Sequence, residues 1–244
     1  MEKVRQLIVH EETKSPISEA YRTLRTNIQF SKVDGSLRRI MLTSSGPGEG
    51  KSTTTANLAV AMAQSGKRTI LIDCDLRKPV QHKIFGKSNR GLTNILVNDT
   101  PVAEMIESGQ INKYIQDTVV DNLRLITSGP IPPNPSELLY SARMQEVLEY
   151  WTSQADIVII DATPVIAVTD ACVLASKVDG IVLVLDTTLI RPEMAQRAKE
   201  LLLKANGRIL GVVLNRVEIQ QEYTYYYYYY GHEGKEKRHS AKSM

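Results

Sequence analysis

Ser44-Ser45-Gly46-Pro47-Gly48-Glu49-Gly50-Lys51-Ser52-Thr53 lies between an apolar run, Ile40-Met41-Leu42-Thr43, and a long stretch with helical spacing. Its glycines let the backbone fold tightly enough to turn several N–H groups inward, and the following helix presents the positive end of its dipole to an anion. The stretch reads as a phosphate-binding loop in which Gly46, Gly48, Glu49, Gly50 and Thr53 shape the cradle. Lys51 reaches the β- and γ-phosphates and Ser52 offers its hydroxyl to Mg²⁺. Against the pattern G-x-x-x-x-G-K-[ST], Ser45 stands where the first glycine is expected, a position open to small residues. A glycine-rich turn that binds nothing is the alternative, disfavoured by the strand before and the helix after.

The chain has 244 residues, 42% of them hydrophobic, enough to bury the core of one α/β domain. A formal charge of +3, with basic residues spread along the chain, gives no argument for a nucleic-acid surface, and no nucleic-acid partner is expected. Cys74 and Cys172 both lie in apolar surroundings, as in a reduced cytoplasmic protein. No apolar run is long enough to span a bilayer and the acidic N-terminus lacks a signal-peptide core, so a membrane role is expected to come through a partner.

Outward from the loop, strands and helices alternate, which predicts a doubly wound parallel sheet. Residues 1–14 read as polar and irregular. Ser15-Pro16 then opens a helix with the apolar stripe Ile17, Ala20, Tyr21, Leu24 and Ile28. Glu19, Arg22 and Arg25 lie off that stripe, either as a solvated face or as a charged surface for docking another subunit. Thr69–Asp75 reads as a buried strand ending in two carboxylates, Asp73 and Asp75, with Arg77 and Lys78 directly behind. Strand ends of that kind are where open α/β sheets bind ligands. Short helices are expected near 81–85, 92–97 and 102–107, a strand at 123–127, then a four-proline loop before a helix capped by Ser136 and running through Trp151. The strand 156–161 delivers Asp161, a candidate for the acid that orders Mg²⁺ opposite a phosphate loop. Strands 180–186 and 209–214 flank a helix from Pro192 to about Asn206. Asn215, behind the last strand, either reads an adenine edge through its amide or forms a turn.

Seven of the eleven tyrosines, Tyr223, Tyr225, Tyr226, Tyr227, Tyr228, Tyr229 and Tyr230, sit in one segment. Six in a row suit neither an amphipathic strand nor an amphipathic helix. One reading is a low-complexity segment or an edge strand. The other is a mobile array of phosphate acceptors, each modification adding nearly two negative charges to a graded switch.

The sequence resembles the bacterial tyrosine kinases that control capsule and exopolysaccharide synthesis, in their Gram-positive form. The likeness covers almost the whole chain. It rests on Pro47–Thr53, Ile70-Leu71-Ile72-Asp73-Cys74-Asp75-Leu76-Arg77-Lys78-Pro79, Ile159-Ile160-Asp161-Ala162-Thr163-Pro164, Glu19-x-x-Arg22-x-x-Arg25, Thr127–Pro135 and the tyrosine cluster. Ala162-Thr163-Pro164 departs from the family's usual Thr-Pro-Pro but leaves the aspartate in place. The resemblance implies a phosphate-loop NTPase fold of the MinD/ParA type and ATP- and Mg²⁺-dependent tyrosine autophosphorylation. Lys51 and Ser52 would serve the phosphates and metal, Asp73 the attacking phenol, and Asp75 and Asp161 the metal; sequence does not separate Asp73 from Asp75. It further implies that Glu19, Arg22 and Arg25 on a helix over 15–31 build a ring in which each subunit offers its tail to a neighbour. A flexible N-terminus over 1–14, a kinase domain over 15–222 and a mobile tail over 223–244 follow. A membrane-anchored activator would recruit the cytoplasmic kinase to the inner face of the membrane, with a tyrosine phosphatase and other protein substrates as further partners. Two rivals remain. A partitioning or division-site switch ATPase shares the fold, but such proteins carry an extra lysine early in the loop, where Ser45 and Gly46 stand, and some end in a basic amphipathic helix. An ATP-bound regulatory scaffold without catalysis would use the same loop.

Overall fold

The computed structural model describes residues 7–31, 37–189 and 191–218. Seven strands form one sheet in the order β3-β4-β2-β5-β1-β6-β7. These are β1 (Arg39–Ser44), β2 (Thr69–Asp73), β3 (Gln116–Asp117), β4 (Leu123–Ile126), β5 (Ile157–Asp161), β6 (Gly180–Asp186) and β7 (Ile209–Asn215). All neighbours run parallel except the short β3, which pairs antiparallel with β4. The expected doubly wound parallel sheet is therefore present, with one antiparallel strand added at its edge.

Both faces of the central strands are covered, so their sequences are apolar at every position. Alternate residues still part to opposite sides: Met41, Ile70, Ile72, Val158 and Ile160 enter one core cluster, Ile40, Leu42, Leu71 and Ile159 the other. Against the second face lies α3 (Lys51–Gln64), most of whose residues are buried, because small alanines allow close approach to the sheet on one side and to α1 (Ile8–Glu11) and α2 (Pro16–Phe30) on the other. The first face is covered by α8 (Ala142–Ser153), α9 (Asp170–Ala175) and α10 (Pro192–Lys204), with Trp151 of α8 fully buried. Three short helices, α4 (Gln81–Ile84), α5 (Leu92–Leu96) and α6 (Val102–Glu107), fill the connection between β2 and β4.

Four local features differ from the sequence reading. The stretch read as irregular contains α1, because Leu7 and Val9 are buried on α3. Val9 donates its N–H to Asn57 Oδ1 at 3.1 Å and accepts from Gln64 Nε2 at 3.2 Å. In α2, Ser15 caps the first turn as expected, but the buried face is turned towards Ser18 and Ile28 and leaves Ile17 exposed. Ser18 is drawn inward by donating to the carbonyls of Ile8 and Glu12. The helix expected to run from Ser136 through Trp151 is two helices, α7 (Pro135–Tyr140) and α8. Asn134 precedes the first. Ser141, in extended geometry with ψ 154°, separates them, and its Oγ accepts from Met144 N at 3.1 Å as the cap of α8. Finally α9, β3 and a 3-10 turn at Gln110–Tyr114 had no clear periodic signal, being too short to show one. Among the described residues, no helix is long and apolar enough to cross a membrane. The tyrosine cluster lies outside the described residues.

Ser141→Ala removes the cap of α8 and is expected to lower stability to urea by about 1 kcal/mol. An unchanged unfolding midpoint would show that the break between the helices does not depend on that hydroxyl.

Candidate active site

Parallel strands deliver their C-terminal ends to one edge of the sheet, and here β1 ends at Ser44, β2 at Asp73 and β5 at Asp161. Strand register sets Asp73 directly beside Asp161, and Asp161 beside Leu42. The loop after β1 turns through Gly48 and Gly50 at φ 84° and 86°, a region that L side chains rarely enter, and feeds into α3. At Gly50 the need for glycine is also steric, since a Cβ would lie 2.0 Å from Asn215 Nδ2.

The loop is braced from within. Glu49 is buried and folds its carboxylate back, so that Oε1 accepts from Ser45 Oγ and, at 2.7 Å, from Gly46 N. Ser45 thus has a use for its hydroxyl at the position where a glycine was expected. Asn215, at the end of β7, donates its amide to Glu49 O at 2.9 Å. That amide joins the last strand to the phosphate loop.

Lys51 is buried and points back across α3's first turn. Its Nζ donates to Asp161 Oδ1 at 2.5 Å and to Ser52 Oγ at 3.1 Å, and lies 3.7 Å from Asp75 Oδ2. Lys51, Ser52, Asp75 and Asp161 therefore share one small volume. Strand β2 stops at Asp73, and the residues behind it curl into a tight loop around the two carboxylates. Asp73 Oδ1 accepts from Asp75 N at 3.1 Å. Its Oδ2 accepts from Val80 N at 3.2 Å and Gln81 N at 3.0 Å. Asp75 Oδ1 accepts from Arg77 N and Lys78 N at 3.3 and 2.9 Å. Full burial, with the charge of Asp161 alongside, pushes the Asp73 carboxyl up to about 8, and it outweighs the amides and Lys51, which act the other way.

Several contacts at this edge carried no sequence signal. Gln81 is fully buried and donates through Nε2 to Asp161 Oδ2 at 2.7 Å and to Ser52 O at 3.0 Å. Only the path of the loop through Pro79 brings it there. Arg77 leaves the loop to form a two-pronged ion pair with buried Asp170 at 2.8 and 3.0 Å, joined by Ser136, whose hydroxyl donates to Asp170 Oδ1 at 2.5 Å. That pair ties the Asp73–Asp75 loop to α7 and α9. Buried Asp186, at the end of β6, accepts from Arg216 and from Thr188 N. Glu19, Arg22 and Arg25 lie apart from this site, on α2. Glu19 pairs with Arg22 at 2.7 Å, Arg22 also reaches Thr13 O, and Arg25 turns inward to Ala61 O at 3.3 Å.

A phosphate loop on a doubly wound sheet, with a lysine and three aspartates at the strand ends, defines a nucleotide-binding protein. The family model of the CobQ/CobB/MinD/ParA nucleotide binding domain matches residues 40–235. The tyrosine-protein kinase YwqD of Bacillus subtilis is 42% identical over 222 residues, which cover 91% of this chain and 90% of that protein. The tyrosine-protein kinase CpsD of Streptococcus agalactiae is 36% identical over 82% of this chain and 83% of its own length. Among solved structures, the kinase domain of the Escherichia coli tyrosine kinase ETK superposes with a TM-score of 0.80 at 32% identity, covering 88% of this chain and 81% of that one. The septum site-determining protein MinD of Pyrococcus horikoshii, at 23% identity and a TM-score of 0.55, shares the fold. The chain belongs to the bacterial tyrosine-protein kinases, within the CobQ/CobB/MinD/ParA nucleotide-binding family.

An Asp73 carboxyl raised from 3.8 to about 8 means that the folded, nucleotide-free protein binds a proton over that interval which the unfolded chain releases. Its contribution to stability is present at low pH and is lost as pH rises from about 4 towards 8. Urea unfolding of the nucleotide-free protein at several pH values should show this decline, and Asp73→Asn should flatten it. An identical slope in the variant would contradict the assignment.

Proposed function

We propose that the protein is an ATP- and Mg²⁺-dependent tyrosine kinase that phosphorylates its own tyrosine cluster and so regulates capsule or exopolysaccharide synthesis. The observation that carries the reading is the meeting of Lys51, Asp75 and Asp161 within ion-pair distance beside a preformed phosphate loop, with Asp73 next to them. The donors available to a cation, the Ser52 hydroxyl and the Asp75 and Asp161 carboxylates, are all oxygens, as a hard divalent ion requires. Mg²⁺ held there with the nucleotide supplies positive charge against the phosphates.

The chain's own residues do the remaining work. The loop amides of Gly48 to Thr53 hold the phosphates, and Lys51 turns from Asp161 to the β- and γ-phosphates when they arrive. A tyrosine hydroxyl enters opposite the loop. Asp73, in its ionised form, receives its proton; burial and the neighbouring charge of Asp161 raise this carboxyl, which makes its ionised form a stronger base. A carboxylate offers about four acceptor positions, and three are taken by backbone amides, which leaves one on Oδ1 for the phenol. Most of the acceleration comes from position and charge, since phosphoryl transfer asks little covalent chemistry of the protein.

The acceptors are Tyr223 and Tyr225 to Tyr230, offered between subunits of a ring. Glu19 and Arg22 are exposed enough on α2 to take part in that contact, and Arg25 lies between α2 and α3. Successive phosphates would charge the tails and drive the ring apart. Activation comes from a separate partner protein. We assign the kinase to the cytoplasm, recruited to the membrane by that membrane-anchored partner, with a tyrosine phosphatase and other proteins as further partners.

Radiolabelled ATP given to the pure protein, with and without the activator's cytoplasmic segment, should label tyrosine only. Lys51→Met and a tail with all seven tyrosines changed to Phe should each lose that label, and Asp73→Asn should lower the rate at least a hundredfold while ADP still binds. Label on serine or threonine, or tyrosine label persisting in Lys51→Met, would sink the kinase reading. An unlabelled Lys51→Met tail after mixing with a tail-less subunit would sink transfer between subunits.

A further inference from the structure

Gln81 opens α4 at the point where the Asp73–Asp75 loop returns to the phosphate loop, and it is fully buried. Its side-chain amide gives one hydrogen to Asp161 Oδ2 and the other to Ser52 O, at 2.7 and 3.0 Å. Two acceptors around one NH₂ group settle how the amide is turned. Reversed, Oε1 would face a carboxylate and a carbonyl with no proton between them. In the orientation adopted, Oε1 is buried with no hydrogen-bond partner among the described residues.

Asp161 is held from two sides by donors of different kind. Lys51 takes Oδ1 at 2.5 Å, with the Thr55 hydroxyl 3.4 Å from the same oxygen, and Gln81 takes Oδ2. In the function proposed above, Lys51 leaves Asp161 for the nucleotide's phosphates. Gln81 carries no charge to offer a phosphate, and its second hydrogen bond anchors it to the first turn of α3, so it stays. We infer that Gln81 is a positioning residue of the kinase centre: its amide bridges the Ser52 backbone carbonyl and Asp161, and so holds the Asp161 carboxylate against the first turn of α3, which carries the Ser52 hydroxyl, while Lys51 changes partner. Its effect falls on the affinity for the divalent cation and leaves the grip on the phosphates, made by the loop amides and Lys51, almost untouched. The inference rests on the reading of Ser52 and Asp161 as cation ligands.

The experiment measures ADP binding by calorimetry in EDTA and across a Mg²⁺ titration, for the wild type, Gln81→Met, Gln81→Asn, Asp161→Asn and the double variant Gln81→Met with Asp161→Asn. Met keeps the volume without the hydrogen bonds, and Asn keeps the amide but is too short to span both acceptors. A hydrogen bond to a charged group has a value that corresponds to about a tenfold change in binding, so both Gln81 variants should raise the Mg²⁺ midpoint about tenfold. ADP affinity in EDTA should stay within about twofold, and Gln81→Met should add nothing in the Asp161→Asn background. An unchanged Mg²⁺ midpoint in both Gln81 variants overturns the inference. So does an equal loss of ADP affinity in EDTA, the mark of general packing, or an undiminished Gln81 effect without Asp161. If Asp161→Asn alone leaves the midpoint where it was, the reading of Asp161 as a cation ligand fails and takes the inference with it, a result distinct from the others.

Discussion

The ion pair between Lys51 and Asp161 spans 110 residues of sequence and lies in a site from which water is almost excluded. Without it, the end of the sheet would hold two carboxylates, Asp73 and Asp161, side by side in register and fully buried, with Asp75 close behind. Like charges so placed repel strongly, and removing one partner of a buried pair leaves an uncompensated charge at heavy cost. Lysine supplies part of the compensation. The rest comes from neutral donors: three backbone amides on Asp73, two on Asp75 and the Gln81 side chain on Asp161. Protonation of Asp73 is the remaining outlet, which is why its carboxyl is raised while it is still surrounded by donors.

The phosphate loop, beside this pair, is braced by groups of the chain itself. An anion normally organises such a loop by collecting its amides. Here Glu49 brings an internal carboxylate oxygen to Gly46 N and Ser45 Oγ, while Asn215 holds the Glu49 carbonyl from the far end of the sheet. Preorganisation of this kind lowers the ordering cost of binding. It also links the last strand, which leads towards the tyrosine-rich segment, to the nucleotide site through a single side chain.

Between the site and the first face of the sheet, Arg77 plays a quieter part. Its pair with buried Asp170 is two-pronged and shared with Ser136, so the loop that carries Asp73 and Asp75 is fastened at both ends: to the strand on one side and to α7 and α9 on the other. If Asp73 meets the substrate hydroxyl as proposed, it needs that support, because small displacements of a reacting group cost large factors in rate. On α2, by contrast, Glu19 and Arg22 are joined by a pair open to solvent, a weak kind of electrostatic contact, with Arg22 also held by Thr13 O.

Much of this was legible in the residues. The alternation of buried strands and helices, the Gly-rich loop with Lys51-Ser52 and the three aspartates each at the end of an apolar run are local patterns, because strand periodicity, turn chemistry and phosphate binding act over a few neighbouring residues. So the alternation of the main strands and helices and the fold class were determined by sequence alone, and the same local patterns pointed to Lys51, Ser52, Asp73, Asp75 and Asp161. Tertiary structure decided what depends on groups far apart in the chain. It turned α2 to bury Ser18, broke the 136–151 helix at Ser141, folded Leu7 and Val9 onto α3, gave Ser45 and Asn215 their uses in bracing the loop, and placed Gln81 between Ser52 and Asp161. No local signal announces these, since each follows from where a hydrogen bond finds its partner once the sheet is assembled, and a buried polar group must find one wherever the fold provides it.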